Sequence, residues 1–268
     1  MKILMPIGGN ENEKKPVVSK EFIRLAGGEK ADIAILPQPS ILEDTPDYYV
    51  RHFLGLGAHS ALSLDFRSRA ETQSDEYVEA IQNATGIFIS GGTQMRLPAI
   101  IGGTQIENAV LDAYRRGVII SGTSAGASVM SKVMIAYGKS GSTPREGIAQ
   151  FAPGLGLTDK IIFDQHFRQR DRLGRLIYVI SAHPGLLGIG IDENTAAIVE
   201  DEAKVTVVGT GAITVVDGSE MESTNVAEAE KGKPVAVSNL KVHVLTAGCS
   251  YHIPTRKADV PSLQLIRE

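Results

Sequence analysis

The stretch from Gly117 to Ala127, Gly-Val-Ile-Ile-Ser-Gly-Thr-Ser-Ala-Gly-Ala, constrains the fold more than any other part of the chain. Val118–Ile120 is a short apolar run of the kind that forms a buried parallel strand. It breaks at Gly122-Thr123-Ser124-Ala125-Gly126, after which small residues suit a helix start. Gly-x-Ser-x-Gly at a strand-to-helix turn is a nucleophile elbow: the glycines permit a tight, strained turn that lifts the serine hydroxyl off the sheet. The five residues alone equally suit a plain βα turn with an incidental serine, so the flanking strand and helix carry the reading.

The rest of the chain repeats that unit. Short apolar runs alternate with amphipathic segments: strand Lys2 to Ile7, helix Pro16 to Ala26, strand Asp32 to Leu36, helix Thr45 to Leu54 and strand Ser60 to Leu64. Helix Ser74 to Asn83 follows, with Ser74 as candidate N-cap, then strand Gly86 to Ser90 and helix Gln105 to Arg116, which leads into the elbow strand. Past the elbow, Lys139 to Gly147 is rich in Gly, Ser, Thr and Pro and reads as a mobile loop. Strand Lys160 to Phe163 and a polar helix over about Asp171 to Ala182 come next. From Gly188 the pattern turns to alternating β: 188–191, 195–200, 204–208, 212–216, 241–246 and 249–253. The expected fold is α/β, a doubly wound and mostly parallel central sheet of flavodoxin or glutamine amidotransferase type with a C-terminal antiparallel β extension. With no linker and no repeat, the 268 residues read as one domain.

A net charge of −4 gives no basic surface for nucleic acid, and no stretch reaches the roughly 18 apolar residues of a membrane span. The apolar run Ile3–Ile7 is too short for a signal-peptide core, and the lone Cys249 excludes an internal disulfide, so a cytoplasmic location is expected. No Cys or His pair has ligand spacing, and Asp164-x-His166 is too thin for a metal site, so neither metal nor cofactor is expected.

A serine attacks a carbonyl only when a base takes its proton and a third group orients that base. Of six histidines, His52, His59, His243 and His252 read as structural or surface residues. His166 lies just past the carboxyl end of a strand, on the rim where an open α/β sheet binds ligands; His183, in a turn before Pro184, is the runner-up. Asp192 and Glu193 follow the strand at 188–191, and one of the two is expected to orient the histidine. The order Ser, His, acid differs from the Ser, acid, His of α/β-hydrolases. The N–H of Ala125 is a natural oxyanion donor, and Gly91-Gly92 at a neighbouring strand end offers a second. The run Gln165 to Arg175 carries Arg168, Arg170, Arg172 and Arg175, whose guanidinium forks suit a substrate with several carboxylates.

Gly-Thr-Ser-Ala-Gly-Ala at 122–127, Ile-Gly-Gly-Asn-Glu at 7–11 and Ser-Gly-Gly-Thr-Gln at 90–94 resemble the cyanophycinases. So do Asp-Gln-His-Phe at 164–167 with its arginine-rich tail and Gly-Ile-Gly-Ile-Asp-Glu-Asn-Thr-Ala at 188–196. These are serine peptidases related to dipeptidase E, on a scaffold similar to class I glutamine amidotransferases. The resemblance implies a Ser124–His166–Glu193 triad, and so Glu193 rather than Asp192; beside it, the N–H groups of Gly92 and Ala125 are the expected oxyanion donors. It implies a substrate pocket of Gln94, Gln165, Arg170, Arg172 and Arg175. The charge logic adds acids such as Asp164 for guanidinium groups. The implied substrate is cyanophycin, a poly-aspartate with arginine on each β-carboxyl, cut from its C-terminal end to β-Asp-Arg dipeptides. The implied assembly is a homodimer. Thr93 departs from the Asp or Asn that family members often carry. An aspartyl or isoaspartyl dipeptidase on the same scaffold, or a non-catalytic carboxylate-binding protein, are the alternatives.

Overall fold

The computed structural model describes residues 1–261. Strands β1 (Ile3–Ile7), β2 (Asp32–Leu36), β3 (Ser60–Ser63), β4 (Gly86–Ile89) and β5 (Ile119–Thr123) form parallel pairs in the order β1-β5-β4-β2-β3. Their alternation explains how the sheet is covered on both faces. Ile3, Met5, Ile7, Ile33, Ile35 and Phe88 point to one side, where helices α1 (Val17–Leu25) and α2 (Thr45–Gly55) supply Val18, Phe22 and Phe53. Leu4, Ala34, Leu36, Ile87, Ile89 and Ile120 point to the other. There they meet α3 (Asp75–Asn83), α4 (Arg96–Ile101), α5 (Gln105–Arg116) and the single turn α6 (Ala125–Ser128). Phe22, Phe53 and Phe88 contact one another edge-on or tilted, with ring centroids 4.9–5.9 Å apart. Ser74 sits at the N-terminus of α3 in an extended conformation, without a side-chain capping bond.

The expectation of a mostly parallel sheet with an antiparallel C-terminal extension holds in part: the sheet is mixed. β10 (Thr195–Glu200), β11 (Lys204–Gly209), β16 (Ser250–His252) and β17 (Lys257–Asp259) add to β1 in antiparallel fashion, which makes a nine-stranded mixed sheet. β8 (Ile161–Asp164), β9 (Leu187–Ile191), β12 (Ala212–Asp217) and β15 (Lys241–Thr246) leave it for a second, four-stranded sheet. Ile161, Phe163, Leu187, Ile189 and Ile191 turn toward the first sheet's core, while Ile162 turns toward helix α7 (Leu173–Ala182). Gly188 and Gly190 leave the room into which Leu176, Ile180 and the Phe167 ring pack from outside. A strand buried on both faces reads the same whichever sheet it joins, which is why the second sheet was invisible in the pattern.

Three further expectations change. The helix expected to be polar is α7, most of which is buried, because it is the outer cover of the second sheet. Arg168 and Arg170 fall in a 3-10 turn ahead of it. The 139–147 stretch joins β6 (Val133–Gly138) to β7 (Ala149–Pro153) in a hairpin that sequence reading did not anticipate. That stretch is tied down, not loose: Gly141 N–H donates to the Asp171 carbonyl (2.6 Å), Gly174 N–H to Gly141, and Glu146 N–H to Lys233. The two-residue strands β13 (Ser223–Thr224) and β14 (Val237–Ser238) complete the fold.

Asp217, at the end of β12 and fully buried, joins the second sheet to the antiparallel end of the first. It accepts hydrogen bonds of 2.9–3.1 Å from Ser219 N–H, the Tyr251 hydroxyl and the Arg256 guanidinium. Burial alone would raise its pKa; these donors outweigh burial and hold it below the ordinary value. Asp217→Ala is expected to cost about 3–5 kcal/mol, because it strands Tyr251 and Arg256 without their acceptor. The contribution is present at neutral pH and lost as the pH falls through the depressed folded value. Urea unfolding of both variants at pH 7 and pH 3 checks this; a loss below about 1 kcal/mol at pH 7 would contradict it.

Candidate active site

β1 and β5 are neighbours, with Ile7 opposite Thr123. Their carboxyl ends therefore deliver Gly8-Gly9-Asn10 and Ser124 to the same rim. Ser124 N–H donates to the Ile7 carbonyl at 3.0 Å. Ser124 has φ 52°, ψ −110°, a conformation that non-glycine residues rarely adopt. The flanking glycines make the turn possible. A Cβ on Gly122 would overlap the Gly126 backbone, and one on Gly126 would overlap the Ile89 carbonyl. The elbow expected at 122–126 is therefore present as a strained turn held by backbone packed on backbone.

The rim of the first sheet receives a histidine from the second. His166 follows β8, and its N–H donates to the Gly8 carbonyl at 2.7 Å. Its ring lies against Gly9 so closely that a Cβ there would overlap the imidazole. Nε2 is 2.9 Å from Ser124 Oγ, and Nδ1 is 2.6 Å from Glu193 Oε1. A carboxylate can only accept, so Nδ1 carries the hydrogen and Nε2 is free to accept from the serine. Burial lowers the His166 pKa from its ordinary value, with Arg170 and Arg172 adding to the effect, while the Glu193 bond opposes it.

The two neighbouring acids have separate placements. Glu193 reaches the imidazole, and Asn10 Nδ2 donates to the same oxygen at 2.8 Å. Asp192 is buried and turned away: it accepts from Arg168 N–H (3.1 Å) and Ala212 N–H (3.2 Å), bracing the turn that carries His166. His183, the runner-up, ends α7 and packs edge-on against Phe151. Gly92 and Ala125 N–H groups have no acceptor among the described residues, and Gly92 lines the cavities around Ser124. Its φ of 139° and the Pro39 carbonyl against it leave no room for a side chain.

The proposed substrate residues divide. Arg170, Arg172, Gln165 and Gln94 line a cavity of about 270 Å³ beside Ser124. Arg175 lines it too, but its guanidinium grips Asp164, with Nε 2.6 Å from Oδ2 and Nη2 on Oδ1. Arg172 Nη1 lies 3.2 Å from Asp164 Oδ1 and also donates to the Gln165 carbonyl and side chain. Burial lowers Arg172 to about 10, so it stays protonated at neutral pH. Asp164, almost wholly buried and already shared by two arginines, is not open to a guanidinium from outside. That part of the sequence expectation is corrected: Asp164 orients arginines. Gln94 spends its amide hydrogens on the Ile135 and Ala136 carbonyls and ties the loop after β4 to β6.

Sequence reasoning gave no role to Asn10, Gly9 or Gln169, whose Oε1 accepts the Glu193 N–H at 3.1 Å. The signal was available for the first two, since Gly8-Gly9-Asn10 closes a strand on the same rim as the elbow. It also took His52 for a structural or surface residue. Its Nε2 contacts Ser19 Oγ at 3.0 Å, and it lines a second cavity of about 400 Å³ that Ser124 also lines.

The model of peptidase family S51 matches residues 3–208. The chain belongs to peptidase family S51. It is 38% identical over 262 residues to a cyanophycinase of Nostoc sp. (strain PCC 7120 / SAG 25.82 / UTEX 2576), covering 94% of this chain and 86% of the relative. It is 37% identical over 260 residues to a cyanophycinase of Geminocystis herdmanii (strain PCC 6308), covering 95% and 94%. A crystal structure of a peptidase from an acI-B1 Actinobacterium shares the fold, with a TM-score of 0.67 at 21% identity, covering 94% of this chain and 97% of that one. Among the described residues no helix is long and apolar enough to cross a membrane.

Gly9→Ala tests the packing of the S51 site directly. The added methyl is expected to push the imidazole off Ser124 and reduce peptide hydrolysis at least ~10²-fold, with the circular dichroism spectrum retained. Turnover within threefold of wild type would show that the close approach of Gly9 does not position the ring.

Proposed function

We propose that this S51 peptidase hydrolyses cyanophycin from its C-terminal end to β-Asp-Arg dipeptides through an acyl-enzyme. The observation that carries the reading is the chain Ser124–His166–Glu193, at hydrogen-bond distances of 2.9 and 2.6 Å, opening onto an arginine-lined cavity. Curated relatives over nearly the whole chain are cyanophycinases, which supplies the substrate.

In this mechanism His166 Nε2 takes the Ser124 proton as Oγ attacks the backbone carbonyl of an aspartyl residue. Glu193, steadied by Asn10, accepts from Nδ1 and stabilises the imidazolium that forms. The N–H groups of Gly92 and Ala125 hold the oxyanion. The tetrahedral intermediate collapses, His166 returns the proton to the leaving amine, and the C-terminal β-Asp-Arg unit departs. Water, deprotonated by the same imidazole, then frees the acyl group. The carboxylates of the departing unit are read by Arg170 and Arg172, whose Nη2 and Nε have no partner among the described residues. Arg175 and Gln165 shape the cavity, and Gln94 positions its wall. A single α/β domain, a homodimer and a cytoplasmic location belong to the same proposal; the first rests on the absence of a linker or repeat in the sequence, the second on the family resemblance and the third on the lone Cys249.

Digestion of purified cyanophycin with mass-spectrometric identification of products tests the reading. β-Asp-Arg is the expected product, and Ser124→Ala is expected to abolish its release while leaving the fold intact; free arginine, or full activity in the mutant, would overturn it. The pH profile gives a second check. Because burial holds His166 neutral to lower pH than usual, the acid limb of kcat/KM is expected below the ordinary imidazole value of about 6.5. Glu193→Gln removes the charge that opposes that shift, so it is expected to move the limb further down and to cut kcat by ~10²–10⁴-fold. An acid limb above 7, or one unmoved in Glu193→Gln, would contradict the assignment.

A further inference from the structure

Ser124 stands between two cavities of opposite character. On one side is the arginine-lined cavity described above. On the other, the larger cavity is walled by Glu11, Glu13, Tyr48, Tyr49 and His52, with Arg170 at the border shared by both. The mechanism uses none of those five residues, and resting on the cyanophycin reading they acquire a purpose. Each unit of that polymer carries a guanidinium as well as carboxylates, and Asp164 is too deeply engaged to meet it.

We propose that the Tyr48 cavity binds the arginyl guanidinium of the substrate, stacked on the Tyr48 ring and paired with the Glu13 carboxylate.

The residues divide the work by how far each is already committed. Glu11 is a fixed charge: its carboxylate accepts Val18 N–H (2.6 Å) and Ser19 N–H (3.0 Å) and the Ser19 hydroxyl, closing the start of α1. It gives the wall negative potential but has little capacity left for a ligand. Glu13 is exposed, and its one partner among the described residues is the Tyr48 hydroxyl, 3.0 Å from Oε1; Oε2 is open. The Tyr48 ring is 38% exposed yet immobilised, edge-on to Tyr49 at 5.0 Å and stacked on His52 at 5.7 Å and 9°. Desolvation of Tyr48, reinforced by Glu13 and Glu11, raises its hydroxyl to about 12, so it remains a donor that orients Glu13. Desolvation lowers His52, which leaves it neutral at pH 7 and the balance of the wall negative.

This chemistry selects a guanidinium over an ammonium. A planar, weakly hydrated cation can lie flat on an exposed aromatic face and still present two N–H groups edgewise to a carboxylate. A neutral urea of the same shape would stack and could donate N–H to Glu13, but would gain no ion-pair attraction from it.

The test compares two synthetic substrates: an oligomer of β-Asp-Arg units and its isostere in which every arginine is citrulline. With wild-type enzyme, the arginyl oligomer is expected to show at least ~10-fold higher kcat/KM. Glu13→Gln is expected to raise KM for the arginyl oligomer about fivefold and to change that of the citrullinyl one by less than about twofold. Tyr48→Ala is expected to raise KM for the arginyl oligomer about tenfold, while Tyr48→Phe, which keeps the ring, stays closer to wild type. Both side chains are exposed, so circular dichroism should be unaffected. Equal rates on the two oligomers, or variants within twofold of wild type on the arginyl one, would overturn the guanidinium site while leaving the cyanophycin reading standing. Failure of wild type to cut the arginyl oligomer at all would instead overturn the cyanophycin reading itself.

Discussion

The site depends on backbone approaching backbone where no side chain intervenes. Gly122 packs on Gly126, Gly126 on the Ile89 carbonyl, Gly8 on the Asp192 and Ile191 carbonyls, and Gly9 under the His166 ring. The first two close the elbow, the last two bring the end of β1 against turns from the second sheet, and together they bring Ser124, His166 and Glu193 within a few ångströms. The positive φ values of Ser124 and His166 are the strain that this close assembly holds in place. Rigidity here comes from the absence of atoms.

That constraint explains what the sequence could and could not convey. The elbow was legible because its glycines sit beside the serine in the chain. So was the parallel half of the first sheet, in which β2 and α5 occupy the residues the periodicity assigns. The second sheet was not legible. β8 and β9 are continuous apolar runs that would suit either sheet, and only the tertiary choice of partner separates them. The hairpin of β6 and β7 was hidden because Gly, Ser and Pro between its arms resemble a free loop, although neighbouring backbone pins it. Choosing Glu193 over Asp192 required the family resemblance; adjacent residues at a strand end point to opposite sides, and the pattern alone does not give the sense.

Charge was the harder part to read. A run of four arginines after a histidine invites the view that all four face a ligand. The fold distributes them instead. Arg168 lies out at the surface near Asp192, and Arg175 is locked on Asp164. Arg172 is held by one edge, and Arg170 stands exposed at the junction of the two cavities. Burying Asp164 between two guanidinium groups would be costly for any one of the ions alone; as a triad each satisfies the others, and the remaining N–H groups are aimed by that bond network. A surface arginine would bring comparable charge with far less orientation.

The two cavities therefore differ in kind as well as in sign. The basic one is built from buried, mutually restrained groups, suited to reading the fixed geometry of a chain terminus. The acidic one is built from an exposed aromatic shelf and one carboxylate with a free oxygen, suited to a long, flexible arginyl arm. On the proposed reading, a peptidase that recognises the end of a polymer at one position and a repeated side chain at the next uses both, each lined by the same serine. Arg170 lines both and lowers the His166 pKa; on the proposed reading the same charge also meets the carboxylates of the substrate. On that reading specificity and catalysis are coupled through one residue, because the cation proposed to attract the substrate also lowers the pKa of the imidazole that must be unprotonated when it arrives.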